Sequence, residues 1–397
     1  MNTHLAALQP YPFEKLAKLK AGTTPPDGVD HISLSIGEPK HESPQLVIDA
    51  LKNSFSLLET YPSTRGTVEL RKTIARWLER RFKLNKINAD TEVLPVTGSR
   101  EALFSAVMAL FDHDRHDDQI AFPNPFYQIY EGATILAGAK PLLIPCTQES
   151  SFKADLSTIT PQQWDQTQIL FICTPGNPTG AVLSEAELIE IIKLADKHNF
   201  LIFSDECYSE IYFHESSPPP GLLQACAKMG RTDYARCLAF NSLSKRSNIP
   251  GMRSGLVAGD ASLIKQFLLY RTYHGCAMPP HHQQASIAAW NDEQHVLENR
   301  NQYRDKFALA LNTLNPKLQI YQPDAAFYLW AKTPVTDTEF TRGLFQHSNI
   351  TVLPGSFLSR KTGHGDPGSN HVRIALVASL EECTQAFNRI NAFLDTL

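Results

Sequence analysis

The sequence lacks the features that mark several specialised protein classes. Its seven cysteines are scattered singly and form no CxxC pair. This spacing predicts reduced thiols, and neither a disulfide framework nor a zinc site. The chain also contains no P-loop for nucleotide phosphates, no internal repeat and no low-complexity tract. These absences exclude a disulfide scaffold, a zinc module and a P-loop enzyme.

Long apolar runs and an excess of one charge are missing as well. No run approaches the ~20 residues of a membrane span, and the strongest apolar cluster covers only residues 169–173. The 37 basic and 41 acidic residues give a formal net charge of −4, which does not indicate a nucleic-acid surface. The first residues lack the layout of a signal peptide. We therefore expect a cytoplasmic protein that binds neither nucleic acid nor membrane.

What is present is the pattern of an α/β protein. Hydrophobic residues make up 42% of the chain, and short apolar runs alternate with amphipathic stretches in its middle, which predicts a largely parallel sheet. The clearest unit has strands at 168–173 and 200–204. Between them lies a helix that begins at Ser184, with Ser184 and Glu187 as a capping box. These residues form one βαβ crossover.

The remaining pattern divides the chain into a large and a small domain. After about residue 285, a long helical stretch leads to a smaller α+β region. We predict an N-terminal arm at 1–40 that forms part of the small domain, a large ligand-binding domain at 41–285 and a small C-terminal domain at 286–397. Further strands are predicted at 92–96, 119–122, 236–240, 255–258, 350–353 and 371–377, with helices at 101–111, from 126, from 337 and at 379–397. The long helical stretch leads to an apolar segment at 327–330.

Some motif matches in the sequence are better explained by ordinary structural elements than by functional sites. Residues 363–368 have the letters of the dinucleotide motif GxGxxG, but they include a proline and precede a strand, which predicts a flexible loop. The acidic strand end at 201–206 resembles one part of a P-loop nucleotide site, but the sequence contains no P-loop that would complete such a site. The pairs His113 with His116 and His281 with His282 lack a third ligand at a recognisable spacing. We predict no metal site.

One loop combines residue types that suit a charged ligand. Lys245 follows a predicted strand, so its amine is expected at the carboxyl edge of the sheet, where open α/β sheets bind ligands. Ser242, Ser244 and Arg253 lie in the same loop and could hold a phosphate by charge-assisted hydrogen bonds. The loop alone could equally be a basic surface segment.

Other polar residues are expected at the same edge. Asp205 ends the second strand of the crossover and could pair with a cationic ring nitrogen, although aspartate also favours helix N-caps. Tyr208 could donate to a ligand oxygen or pack in the core. Asn177 lies in the turn after the first strand, and turn asparagines are usually structural.

A phosphate site and a stacking ring complete the set. Ser99 and Arg100 open a predicted helix, whose free N–H groups can bind phosphate. Tyr127 follows another strand and offers a ring for stacking. An amine, a carboxylate and a phosphate cradle at one edge are what pyridoxal phosphate requires.

The chain resembles the class I/II aminotransferases, which are fold-type I pyridoxal-phosphate enzymes. The resemblance covers nearly the whole chain, and it implies a large domain with a mostly parallel central sheet and a smaller α+β domain. The motifs that carry it occur in the family's order, at residues 35–39, 61–66, 123–127, 175–180, 205–208, 242–255 and 372–374.

The resemblance also implies a role for each residue. Lys245 would form the Schiff base with pyridoxal 5'-phosphate, and Asp205 would face its ring nitrogen. Gly37, Asn177 and Arg373 would bind the substrate, with Arg373 at its α-carboxylate. The other cofactor contacts would be Tyr61, Ser99, Arg100, Tyr127, Tyr208, Ser242, Ser244 and Arg253. Asn177 would also donate to the phenolic oxygen of the cofactor, and Tyr61 would reach the phosphate in a neighbouring subunit, which implies a homodimer with shared sites.

A narrower resemblance concerns the substrate. Residues 9–14, 35–41, 127–132, 244–248 and 270–278 are similar to the succinyldiaminopimelate transaminases of bacterial lysine biosynthesis. This implies N-succinyl-LL-2,6-diaminopimelate as amino donor, with glutamate and 2-oxoglutarate as the second pair.

Other functions on this fold stay open. They are aspartate, aromatic or acetylornithine aminotransfer, a pyridoxal-phosphate C–S lyase, and a regulatory protein that uses the fold only for binding. Lys40, Arg100 and Arg271 are candidates for the residue that contacts the distal end of the substrate.

Overall fold

The structure is a computed structural model, and it describes residues 2–116, 118–314 and 316–397. The helices of this part, α1 to α14, are Pro12–Lys20, Gln45–Lys52, Val68–Phe82, Ser99–Leu110, Gln128–Leu136, Pro161–Asp165, Glu185–His198, Leu222–Lys228, Leu243–Arg246, Ala261–His274, Pro280–Asn291, Gln294–Thr313, Asp337–Ser348 and Leu380–Leu394. The strands, β1 to β13, are Ile32–Ser33, Val93–Val96, Gln119–Asn124, Lys140–Pro145, Thr167–Cys173, Leu201–Asp205, Cys237–Ser242, Gly255–Gly259, Gln319–Tyr321, Tyr328–Lys332, Ile350–Thr351, Leu353–Pro354 and His371–Ala375.

The larger sheet has the strand order β2-β8-β7-β6-β5-β3-β4 in the described part of the chain. All neighbours pair in parallel except β8, which is antiparallel to both β2 and β7. Apolar side chains cover both faces in two buried clusters, which explains the continuous apolar runs of the central strands. The sheet is therefore mostly parallel, as the sequence predicts.

The predicted βαβ crossover is present. The strands β5 and β6 pair in parallel, and α7 connects them. Ser184 caps this helix: its hydroxyl accepts from the backbone amide of Glu187, and the Glu187 carboxylate accepts from the backbone amide of Ser184, which forms a capping box. The crossover fixes the ends of both strands at one edge of the sheet.

A second, antiparallel sheet has the order β12-β13-β10-β9 among the described residues. Near it, β1 pairs in parallel with β11, so a segment from the first 40 residues joins one from the last 50. An apolar cluster that includes Ile32, Leu329, Ile350 and Ile374 packs these strands against the nearby helices. The division into an N-terminal arm, a large domain and a small domain, with boundaries at residues 40 and 285, stays a prediction.

Two local expectations are corrected. The strand predicted at 350–353 is two short strands, because β11 pairs with β1 whereas β12 pairs with β13. The helix predicted from residue 126 begins two residues later, since Tyr127 is its N-cap in an extended conformation. Residues 363–368 form turns that lead into β13 and not into a helix, so they have no dinucleotide-site geometry.

No helix of the described residues is both long enough and apolar enough to cross a membrane.

Candidate active site

The carboxyl ends of the central strands border a cavity of about 510 Å³, a typical size for a small-molecule site. Every predicted catalytic, cofactor-binding and substrate-binding residue lines this cavity except Tyr61. These residues are Gly37, Ser99, Arg100, Tyr127, Asn177, Asp205, Tyr208, Ser242, Ser244, Lys245, Arg253 and Arg373. Of the three candidates for the distal end of the substrate, Arg100 lines the cavity, whereas Lys40 and Arg271 do not. The fold thus brings together segments that lie more than 300 positions apart in the sequence.

Lys245 is in α9, the short helix that directly follows β7. Its Nζ donates a hydrogen bond to the carbonyl of Gly37 and lies 5.4 Å from the centre of the Phe327 ring. Burial lowers the pKa of this amine to about 8, because a low-dielectric surrounding disfavours the charged form. A lysine with such a pKa can serve as a nucleophile and as a general base near neutral pH.

Asp205 is the last residue of β6, and only 4% of it is exposed. The Tyr130 hydroxyl donates to its Oδ2 at 2.7 Å, and the Cys207 amide donates to its Oδ1 at 3.3 Å. Burial raises the pKa of the carboxyl, although both bonds act in the opposite direction. A cationic group of a ligand would stabilise the charged form here.

Tyr130 was not predicted from the sequence. It stacks on Phe171 at 4.5 Å and is fully buried, so its position in α5 indicates an ordinary core aromatic. The signal available in the sequence was its spacing of three residues from Tyr127, which places both near the start of one helix.

Two serines and an arginine form a cradle for an anion. The hydroxyls of Ser242 and Ser244 are 2.9 Å apart, and Arg253 follows a short 3₁₀ turn beside them on the cavity wall. Gly98 has φ +93, and a Cβ there would overlap the Arg253 guanidinium. Glycine at this position therefore lets the arginine lie against the start of α4.

Ser99 and Arg100 form the first turn of α4, but their side chains point to different partners. The Ser99 hydroxyl accepts from the Cys207 thiol at 3.0 Å. The Arg100 guanidinium instead bonds the hydroxyls of Tyr127 and Tyr11, at 2.7 and 3.4 Å. The assignment of Arg100 to the phosphate therefore stays a prediction, and its guanidinium faces the tyrosine side of the cavity.

Arg373 lies opposite, with its guanidinium 4.5 Å from the centre of the Tyr328 ring. It donates to the side-chain oxygen of Asn177 at 2.9 Å and to the carbonyl of Ser35 at 2.7 Å. Its buried Nε has no partner among the described residues. Because a buried donor without an acceptor is unfavourable, the geometry favours an anionic ligand here.

Tyr328, which lines the cavity, is a second residue that was not predicted from the sequence. Its hydroxyl is 2.8 Å from that of Tyr208, and a Cβ on Gly37 would overlap it. Gly37 therefore permits a close approach of its segment to Tyr328. Nothing in the sequence around Tyr328 distinguishes it from other strand aromatics.

Tyr61 lies outside the cavity of its own chain and is fully exposed, with a relative exposure of 102%. Phe55 and Leu58 are also exposed. A contact of Tyr61 with a cofactor stays a prediction that requires a second subunit.

One group of three potential metal ligands occurs among the described residues, namely Glu101, His274 and Cys276. The carboxylate of Glu101, however, is paired with the Arg271 guanidinium at 2.5 Å. The Cys276 thiol is 2.7 Å from the Thr97 hydroxyl. A cation at this position would compete with the positive charge of an arginine, so the group does not favour a metal.

The cavity wall fits pyridoxal phosphate. The amine of Lys245 can react with its aldehyde, and the buried Asp205 carboxylate favours a protonated ring nitrogen. The cradle of Ser242, Ser244 and Arg253 suits its phosphate. Arg373 remains for a carboxylate of the substrate.

Comparisons with known proteins agree with this geometry. The sequence profile of the family described as Aminotransferase class I and II matches residues 29–390. An LL-diaminopimelate aminotransferase of Maridesulfovibrio salexigens is 32% identical over 98% of this chain and 97% of that protein.

Solved structures are similar over nearly the full length. An aminotransferase from Neisseria meningitidis has a TM-score of 0.95 and 49% identity over 99% of both chains. A probable N-succinyldiaminopimelate aminotransferase from Thermus thermophilus has a TM-score of 0.84 and 26% identity, and the match covers 98% of this chain and 100% of that one. The chain therefore belongs to the class I and II aminotransferases, whose cofactor is pyridoxal 5'-phosphate.

Proposed function

We propose that this aminotransferase acts on N-succinyl-LL-2,6-diaminopimelate, with 2-oxoglutarate as amino acceptor, in the diaminopimelate route of lysine biosynthesis. The main support for the proposal is the charge of the cavity wall. Once Arg253 and Asp205 serve the cofactor, Arg100 and Arg373 face the substrate, and Glu38 is an opposing carboxylate. This positive balance suits a substrate with several carboxylates and one amine.

Names of similar proteins support the same substrate class. The relative in Maridesulfovibrio salexigens is named for LL-diaminopimelate, and the Thermus thermophilus protein for the N-succinyl derivative. The succinylated compound carries additional negative charge and has no free distal ammonium. We therefore favour it over free LL-diaminopimelate, which is the second candidate because curated relatives carry its name.

The residues of the cavity have distinct tasks in this reaction. Arg373 binds the α-carboxylate through its Nε, while Asn177 and Ser35 fix the orientation of its guanidinium. Lys245 takes the α-proton on Nζ as general base and, as general acid, would deliver it to the former aldehyde carbon of the cofactor and not back to the α-carbon. Asp205 keeps the ring nitrogen protonated, and Tyr130 orients its carboxylate. When bound, pyridoxal phosphate supplies an electron sink for the two electrons that remain on the α-carbon after its proton is removed.

We further propose that the enzyme is a homodimer in which Tyr61 of each subunit contacts the phosphate of the other's cofactor. Its full exposure on its own chain, beside exposed Phe55 and Leu58, supports an interface at this surface.

Mixing two inactive variants tests this arrangement. Tyr61→Ala and Lys245→Ala subunits, unfolded and refolded together, should regain activity, because the hybrid dimer contains one site with both native residues. If the mixture stays as inactive as either variant alone, although mass spectrometry detects hybrid dimers, the proposal of a shared site is wrong.

Visible absorption of the purified holoenzyme tests the substrate. N-succinyl-LL-diaminopimelate without an acceptor should remove the band of the bound cofactor, and 2-oxoglutarate should restore it. Faster loss with LL-diaminopimelate would support the second candidate. Loss with glutamate but with neither diaminopimelate would reject both. Pyruvate and ammonia released from a sulfur amino acid without acceptor would indicate a lyase.

A further inference from the structure

A chain of polar side chains lies outside the cavity and ends on the backbone of Lys245. Lys306 Nζ is 2.6 Å from His41 Nε2, and His41 Nδ1 is 2.7 Å from Asn299 Oδ1. Asn299 Nδ2 donates to the carbonyls of Lys245 and Arg246, at 3.1 and 3.4 Å. Asn299 and Lys306 are seven residues apart in α12, so they share one face of the helix.

The two carbonyls fix the direction of every bond in this chain. Because two acceptors face one end of the Asn299 amide, that end is its nitrogen and the other is its oxygen. The oxygen then requires a proton on His41 Nδ1, which leaves Nε2 of a neutral imidazole as acceptor for Lys306. Each group is satisfied only in this order.

The surroundings of the chain maintain this protonation. Burial lowers the pKa of His41 to about 4, with the Lys306 charge acting in the same direction. The His41 ring packs on Tyr303 at 4.5 Å between centroids. Lys306 is 2% exposed, and burial lowers the pKa of its amine to about 8, although the nearby Glu382 carboxylate acts in the opposite direction. The direct hydrogen-bond partner of Lys306 is the His41 ring. Its positive charge therefore has a neutral acceptor as its direct partner.

The same segment contacts Lys245 a second time. Gly37, four residues before His41, accepts from Lys245 Nζ. Asn248 Nδ2 also donates to the carbonyls of His41 and Glu42. Residues 37–42 are thus attached to the side chain of Lys245, to its backbone through Asn299, and to the loop that follows it.

From this double attachment we infer that His41 and Lys306 are positioning residues, which hold residues 37–42 over Lys245 and thereby aim its Nζ at the reacting carbon. The inference rests on the proposed role of Lys245 as general base. Neither residue touches the cavity of the site, so both act through Asn299 and Gly37.

Variants of both residues test the inference in the holoenzyme. His41→Phe keeps an aromatic ring against Tyr303 but removes the hydrogen bonds to Asn299 and Lys306. Lys306→Met removes the ammonium donor and keeps a side chain of similar length. Each should lower kcat about tenfold, since small misplacements at a distance have such effects, with KM changed less than about threefold. Glu298→Gln, on the wall of the neighbouring polar cavity, should match the wild type.

Two further readouts separate positioning from a general loss of stability. The pH titration of the visible band of the bound cofactor should shift by about half a pH unit or more in both variants, because that band reports the surroundings of Lys245 Nζ. The double variant should be no slower than the slower single variant, since residues of one chain act as a unit. His41→Gln, which can donate and accept, should recover part of the rate.

Several outcomes would overturn the inference. They are wild-type rates and titrations in both variants, effects that multiply in the double variant, or a lower Tm with an unchanged titration. If His41→Phe does not fold, Lys306→Met and His41→Gln give the same comparison. Failure of the proposed function would look different, because the wild-type band would then not respond to any amino acid.

Discussion

The two walls of the cavity are built in different ways. On the cofactor wall, Asp205 and Lys245 lie at or just after the ends of adjacent parallel strands of one sheet. On the substrate wall, Tyr328 and Arg373 come from the antiparallel sheet, and Gly37 from the segment after β1. The first wall is fixed by one hydrogen-bonded ladder, whereas the second depends on how separate elements pack against it.

Few direct bonds join the two walls at the site. The Arg373 guanidinium donates to Asn177, Lys245 Nζ donates to the Gly37 carbonyl, and the hydroxyls of Tyr208 and Tyr328 are hydrogen-bonded. The comparison leads us to expect that changes on the cofactor wall affect chemistry, while changes on the substrate wall affect substrate binding with the cofactor retained. The predictions below test that division.

Lys245→Ala should have the largest effect. Without the amine, the α-proton has no base, and turnover should fall by at least about 10⁴-fold. The phosphate cradle does not include this side chain, so pyridoxal phosphate should still bind, with a visible spectrum like that of the free aldehyde. Steady-state transamination and cofactor content check both statements.

Lys228→Ala is the matched control, since this lysine lies in the last turn of α8, away from the cavity. It should leave turnover and the spectrum unchanged. Persistent transamination in Lys245→Ala above the level of trace wild-type enzyme would contradict the role of Lys245.

Arg373→Gln should affect the other wall. Losing a buried, oriented cation should reduce kcat/KM about 10²- to 10³-fold for every amino acid, mainly through KM. Cofactor affinity should stay the same, because the hydrogen bonds of Arg373 go to Asn177 and Ser35 and not to the residues of the cradle. Steady-state kinetics with glutamate and a cofactor titration check this. An unchanged KM, or equal losses in cofactor and substrate binding, would remove the distinction between the walls.

The same distinction explains what could be predicted from the sequence. Strand ends of a parallel sheet meet at one edge, so the periodicity that located β5, β6 and β7 also placed Asn177, Asp205 and Lys245 together. For the substrate wall, Arg373 and Gly37 were identified by resemblance alone. Tyr328 could not be found, because its role depends on the packing of one sheet against another.

Arg100→Gln should discriminate between substrates. Since its guanidinium faces Tyr11 and Tyr127 and is exposed, we expect it to contact the distal carboxylate. KM for N-succinyl-LL-diaminopimelate should rise about tenfold, whereas KM for alanine, which has no distal carboxylate, should hardly change. If both rise together, or if cofactor affinity falls instead, Arg100 serves the phosphate as the sequence predicts.

Tyr130→Phe should have the smallest effect, and it tests how rigid the cofactor wall is. The variant removes one hydrogen bond to Asp205 and keeps the stacking on Phe171. One such bond to a charged group contributes about 1.5 to 3 kcal/mol, but its loss acts in part on the resting and the reacting states alike, so kcat should fall only about fivefold. The direction follows from the pKa of Asp205: the bond lowers it, and its loss makes the carboxylate a weaker partner for a protonated ring. Because the Cys207 amide still donates to Oδ1, the carboxylate should keep its place. A fall in kcat as large as that of Lys245→Ala would mean that Tyr130 also orients the cofactor. The cofactor wall would then depend on side-chain packing as much as the substrate wall does.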